Sequence, residues 1–279
     1  MYPQIIFSLN ELPRPTSCDV VSSGFTFGKF DFVRFIHGPK CPVVFANKNK
    51  DLDKWVGCHF LDHQRGGVDF GKSIIKIHPK LTQAKEFPDN EKKQTIIGQY
   101  VDSFYETHQN QLESIRTEFE KRWVLVARPF FKAVDKIFDY PWPKGFYFTR
   151  NKLVYIAYLS IFPCQPRFLK NKTFQVFYLN KEDSLTTAHE LLHFLFYNYF
   201  EKNFPKISPA EEKVWILSEV LNILILNLPE FYALFGDSSR HPYPQHISII
   251  ENLKPEWEKR KDLNSFLKSS LEVIEKVKK

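Results

Sequence analysis

Apolar and polar positions divide the chain into stretches of different period. In residues 1–80, Phe25, Phe27, Phe30, Phe32, Val33 and Phe35 partly alternate with small or charged residues, which predicts strands. Pro39, Pro42 and the Gly66-Gly67 pair punctuate this part. Residues 81–95 are polar and charged, a linker or a helix start. From about Gln94 to Trp123 the spacing turns helical, with Ile97, Tyr100, Val101, Phe104 and Tyr105, then Leu112, Ile115 and Phe119. Pro129 is expected to kink or break that helix. A second piece, Phe130–Phe138, should then end before Pro141-Trp142-Pro143. Three strand candidates follow, Phe146–Phe148, Leu153–Ile161 and Phe174–Leu179, rich in aromatic and β-branched residues.

After residue 180 the pattern is helical. One helix should run from Asp183 or Ser184 to about Asn203, with Pro205 beyond its end. The next opens at Ser208-Pro209-Ala210-Glu211, a capping-box signature, and should reach about Asn227 before Pro229. Short helices are expected at Pro229–Phe235, stopped by Gly236, and at Leu263–Val277. The whole reads as an α+β fold, with an N-terminal β-containing region over residues 1–85 and a second region over residues 86–279 that ends in helices.

Composition bounds this picture. The chain has 279 residues, 43% of them hydrophobic and 16% aromatic, enough to bury a core without staples. The net charge of +7 invites thoughts of nucleic acid, but the basic residues are scattered. The densest groups are Lys259-Arg260-Lys261 and the tail Lys276, Lys278 and Lys279, and no arginine-rich run appears, so nucleic acid is not favoured as a partner. The four cysteines, Cys18, Cys41, Cys58 and Cys164, form no CxxC pair and no disulfide framework. The start MYPQIIFSLNELPRP lacks the basic and apolar regions of a signal peptide. The most apolar stretch, Val214–Leu228, carries Ser218, Glu219 and Asn222 inside it, and no membrane span is expected. These features together predict a soluble, cytoplasmic protein.

The chemistry gathers at Thr187-Ala188-His189-Glu190-Leu191-Leu192-His193-Phe194, an HExxH sequence. Residues i and i+4 lie one turn apart on one helix face, so His189 and His193 can point both imidazoles at one zinc ion. Glu190, on an adjacent side, can act as general base on a zinc-bound water. Leu191, Leu192, Phe194, Leu195 and Phe196 make the surroundings apolar, where two histidines and a glutamate are costly unless paired or ligated.

Two histidines leave a catalytic zinc site short of a ligand. The extension HExxHxxGxxH fails, because Phe196 and Tyr199 stand at its Gly and His positions. The next helix offers Glu211, Glu212 and Glu219. Glu211 is expected in the capping box, and Glu212 lies in the first turn, where the helix dipole favours acid anyway. Glu219 stands alone among Val214, Trp215, Ile216, Leu217, Val220, Leu221, Ile223 and Leu224. It is the candidate third ligand, with Ser218 and Asn222 on its face to hydrogen-bond a ligand. The alternative is that Glu219 pairs with a buried cation such as Arg122, Arg128 or Arg150. A weaker constellation, Cys41, Cys58, His59 and His63, fits no common zinc spacing.

HExxH on one helix with a glutamate on the following helix resembles the gluzincin group of zinc metallopeptidases, the thermolysin-like enzymes. The resemblance covers about residues 145–228 and implies a zincin-like catalytic half in which a strand, the HExxH helix and the Glu helix follow one another. It implies His189, His193 and Glu219 as Zn2+ ligands, Glu190 as general base, and a peptide or protein substrate. It also implies a substrate-holding edge strand at Phe174–Leu179. Such enzymes add a Tyr or His that steadies the oxyanion, for which Tyr243 and His246 are the candidates here. Ile223 stands where their Glu helix often carries an aspartate. The rival readings are a zincin-like binding or regulatory protein with little turnover, a nucleic-acid-associated protein, and zinc hydrolysis of something other than a peptide.

Overall fold

A computed structural model describes residues 6–7, 43–46, 50–88, 91–143, 155–236 and 242–277. The strand expectations over Phe25–Phe35 and Phe146–Phe148 lie outside these residues. Strands β1 (Ile6–Phe7), β2 (Val43–Ala46), β5 (Tyr155–Ser160), β6 (Arg167–Phe168) and β7 (Thr173–Phe177) form one mixed sheet. Its order is β1-β6-β7-β5-β2. The β1–β6, β2–β5 and β5–β7 pairs are parallel, and β6–β7 is antiparallel. A separate hairpin joins β3 (Gln64–Arg65) to β4 (Val68–Asp69). Gly66 and Gly67, at φ 62° and 85°, make the tight two-residue turn that only such backbone angles allow.

Every residue of β5 and β7 is buried, as expected for central strands covered on both faces. This corrects one expectation. β7 is not an edge strand, because β5 flanks it on one side and β6 on the other. Its partner β6 is only two residues long, too short to stand out in the sequence.

Residues 50–86 are chiefly helical rather than β-rich. They form α1 (Lys50–Phe60), α2 (Phe70–Ile77) and a 3-10 stretch at Pro79–Glu86. Asp69 caps α2 by accepting from the Lys72 backbone N–H at 2.9 Å. Gly71 is required there, since a Cβ would stand 1.8 Å from the Leu61 carbonyl oxygen. Across the expected boundary at residue 85, β2 pairs with β5 and α1 packs on α3 (Glu91–Phe138).

The helix α3 runs unbroken through Pro129. Its buried stripe, including Leu112, Phe119, Trp123, Ala127, Phe130, Val134 and Phe138, is continuous across the proline. Packing of that stripe outweighs the roughly 3 kcal/mol that an interior proline costs. Pro129 and Leu125 both face solvent, so water can satisfy the carbonyl that the proline leaves bare.

The C-terminal helices are α4 (Asp183–Asn203), α5 (Glu212–Leu226), α6 (Pro229–Phe235), α7 (Ile247–Lys259) and α8 (Leu263–Val277). The first three and the last match the hydrophobic pattern; α7 has no counterpart in it. Gly236, at φ 71°, ends α6 as expected. Helix α5 is buried from Val214 to Leu226, and α4 nearly so from Asp183 to Phe200. Helices apolar on every face belong in the middle of a fold, and α4 packs against β7, α3 and α5. No single helix among the described residues is long and apolar enough to cross a membrane.

One buried acid ties the sheet to its helices. Asp53 of α1 accepts from Ser160 of β5, the Ile161 backbone N–H, Tyr105 of α3 and Gln175 of β7, at 2.5 to 3.0 Å. Burial pushes its carboxyl up to about 6 in spite of these four donors.

Candidate metal centre

Three side chains from two central helices converge. His189 and His193, one turn apart on α4, bring their Nε2 atoms to 2.8 Å. Glu219 comes from the middle of α5, with Oε2 at 3.3 Å from His189 Nε2 and Oε1 at 3.5 Å from His193 Nε2. Bonds of about 2.0–2.1 Å to a tetrahedral zinc put neighbouring ligand atoms about 3.3 Å apart. The donors therefore already stand near ligand spacing. Among the described residues this is the one group of three or more His, Cys, Asp or Glu able to share an ion.

The surroundings are dry. Glu190 and His193 are fully buried, Glu219 is 4% exposed, and His189, at 8%, is the most open of the four. Burial, with the Arg167 charge beside it, holds the His193 imidazole well below its usual range, so it is neutral and able to bind a metal. Burial alone would push Glu219 up. The Arg167 charge and hydrogen bonds from the histidines reverse this, and the carboxyl sits well below its usual range. Glu190 moves the other way. Burial pushes it to about 8 against the pull of Arg167.

Glu190 Oε1 and His193 Nδ1 are among the buried polar atoms at the centre that have no hydrogen bond. A buried carboxylate oxygen without a donor is costly, and a water or a substrate proton at the centre would satisfy it. The donor set and its spacing could hold a metal ion.

Arg167 is the functional residue the sequence did not reveal. It is fully buried on β6, its Nη2 donating to Glu219 Oε1 at 2.7 Å and its Nη1 to Glu190 Oε2 at 3.3 Å. A buried arginine partner for Glu219 was foreseen, but not this one. Arg122 instead pairs with Asp183 at 2.8 Å, Arg128 is exposed, and Arg150 lies outside the described residues. The only local signal was an arginine set between Pro166 and Phe168.

The other candidates fall elsewhere. Glu211 accepts from the Ser208 backbone N–H at 3.1 Å, as a capping box demands, although the helix begins only at Glu212. Glu212 pairs with Arg65 at 2.7 Å. Ser218 bonds the Trp215 carbonyl and lies 3.4 Å from the Tyr197 hydroxyl, and so supports no ligand directly. Asn222 donates to the backbone carbonyl of His189 at 3.0 Å rather than to a ligand side chain. Tyr243 and His246 pack edge-on against Trp215, one turn before Glu219, with ring centroids 5.1 and 4.9 Å away. The guanidinium of Arg65, carried on the β3–β4 hairpin, covers the same indole at 3.9 Å. Tyr243 and His246 thus belong to an aromatic cluster around Trp215. Of the weaker constellation, Cys58 is buried and His59 bonds the Trp55 carbonyl, while Cys41 lies outside the described residues.

Comparison with models of protein families, with curated proteins and with solved structures gives no match, so the chemistry of this centre rests on its own geometry.

Proposed function

We propose that the chain is a zinc-dependent metallopeptidase of zincin-like design, with His189, His193 and Glu219 as ligands and Glu190 as general base. The observation that carries this reading is the convergence of three donors from α4 and α5 at near-tetrahedral spacing in an apolar interior. A bound zinc would supply Lewis acidity toward a peptide carbonyl and acidify water. The protein's part is to hold the ligands, exclude bulk water and move the proton. His193 is held neutral, and Glu219 is held ionised by Arg167. Glu190 follows His189 directly, with Oε1 unbonded and placed to take a proton from water and return it to the leaving amine. Its raised pKa falls when a divalent charge stands at the neighbouring ligands.

A second reading, a zincin-like binding or regulatory protein of little turnover, draws on a different observation. All four centre residues are more than nine-tenths buried, which leaves a substrate little access to them. Zinc content per chain and cleavage of a peptide library, measured on wild type and Glu190→Gln, separate the two. About one zinc per chain in both, with cleavage only in wild type, supports the peptidase. Zinc in both without cleavage supports the binding protein. No zinc in wild type, even when offered, sinks both.

A further inference from the structure

Arg167 touches two carboxylates that belong to different helices. Its planar fork is the side chain able to fix two such groups in one relative orientation, which a point charge such as lysine cannot do. The backbone under it is itself fixed, because β6 pairs with β7 on one side and with β1 on the other, Arg167 lying opposite Phe174 and Ile6. The contacts divide each carboxylate. Glu219 accepts from Nη2 at Oε1, which also lies 3.5 Å from His193 Nε2, and has Oε2, which takes no bond from the arginine, at 3.3 Å from His189 Nε2. Glu190 gives Oε2 to Nη1 and keeps Oε1, buried and without a hydrogen bond. A plain structural ion pair needs one carboxylate, and any geometry would serve. Here one guanidinium spans the candidate ligand and the candidate base, and takes one oxygen of each.

We infer that Arg167 is the positioning residue of the metal centre. It confines Glu219 to ligation through a single oxygen, and it reserves one oxygen of Glu190 for the reacting water. It also supplies a cation to the Glu219 carboxylate, which would otherwise stand uncompensated in an apolar interior whenever the metal is absent. The centre can therefore stand assembled before the metal arrives. Single-oxygen ligation by Glu219 keeps the protein's share at three ligand atoms and leaves a fourth position for water or substrate. This inference rests on the metal reading of the centre.

The test is a cobalt(II) titration of the full chain, followed by visible absorption, on wild type, Arg167→Met, Arg167→Lys and His189→Ala, with circular dichroism as the check on folding. Wild type should bind one cobalt per chain with the intense bands of a four-coordinate ion. In Arg167→Met the freed Glu219 should chelate through both oxygens, and the bands should weaken severalfold as the coordination number rises. Arg167→Lys keeps a charge but cannot span both carboxylates, and should show the same change with a smaller loss of thermal stability. Folded variants whose cobalt spectra match wild type overturn the inference. If Arg167→Met does not fold, the lysine variant decides. If neither folds even with metal present, the arginine is a stability element and the inference fails while the metal reading stands. A wild type that binds no more cobalt than His189→Ala overturns the metal reading, and the inference with it.

Discussion

Asn222 on α5 donates a 3.0 Å hydrogen bond to the backbone carbonyl of His189 on α4, so the two helices that supply the candidate metal donors are pinned together at one of those donors. Asn222 is fully buried, and its position is set three residues beyond Glu219. Replacing it by leucine removes the pin while leaving the His189 carbonyl its place in the helix ladder. The expected stability loss is about 1 kcal/mol, the worth of one such bond. The expected loss of metal affinity is larger, roughly 10-fold or more, as for other groups that orient ligands. Urea denaturation and a competitive zinc titration measure the two effects separately. Equal zinc affinity in Asn222→Leu and wild type would show that the pin does not orient the ligand.

Removal of the donors themselves should act on metal content. Glu219→Gln keeps the shape of the side chain and a partner for Arg167 but loses the charge. Zinc per chain, by elemental analysis after mild dialysis, should fall from about one to near zero. Glu212→Gln, whose carboxylate pairs with Arg65 instead, should keep its zinc. Retention of full zinc by Glu219→Gln would remove Glu219 from the ligand set.

The buried Asp53 makes a prediction about acid. Its folded-state pKa of about 6 lies above the ordinary carboxylate value of 3.8. Its contribution to stability is therefore full below about pH 4 and lost as pH rises through about 6, on the order of 3 kcal/mol for full burial. Asparagine can inherit the site. Its carbonyl can keep the Tyr105 and Ile161 bonds, and its amide can donate to Ser160 and to the Gln175 Oε1, which is buried without a hydrogen bond, after a flip of the Gln175 amide. Asp53→Asn should thus cost little at pH 7.5, and the stability gap in favour of wild type should widen as pH falls to 4.5. Urea unfolding at both pH values reads this; a gap that narrows on acidification would contradict it. Asp53→Ala, which strands four donors, should cost about 3 kcal/mol or more at any of these pH values.

Pro129 offers the opposite sign. It sits exposed inside α3 and denies the Leu125 carbonyl its helical donor. Pro129→Ala should stabilise the chain by about 1–3 kcal/mol and raise the melting temperature by several degrees. A lower melting temperature would show that the packing of α3 depends on the bend the proline imposes.

These predictions also mark where sequence and structure part. The HExxH pair was legible because helical period alone puts residues 189 and 193 on one face. Glu219 was legible as a carboxylate in an otherwise apolar run, a local contradiction that called for a partner. Helices α4, α6 and α8 announced themselves by caps and stops. Arg167 could not be found this way. Its meaning depends on a two-residue strand whose partners, Ile6 and Phe174, are set by tertiary pairing and leave no period in the sequence. Helix α1 was overshadowed by the phenylalanine alternation upstream, although Asp51 and Asp53 in its first turn and His59 in its last are the charges a helix prefers. At Pro129 a local rule was outweighed by a continuous buried stripe on either side of it.

The pairing of Ile6 with Arg167 has a consequence for the order in which the molecule is made. The strand that seats the arginine borrows one of its neighbours, β1, from far earlier in the chain, and its other neighbour, β7, emerges only after it. Helices α1 to α3 form from contacts close in sequence and can settle while the chain is still growing. The β1–β6 ladder has to close a loop covering more than half the chain, and closures of that length come late. The two carboxylates on α4 and α5 therefore receive their shared cation among the last events of folding. For the same reason they are placed to lose it early, in fluctuations that open one edge of the sheet while the helical core stays closed.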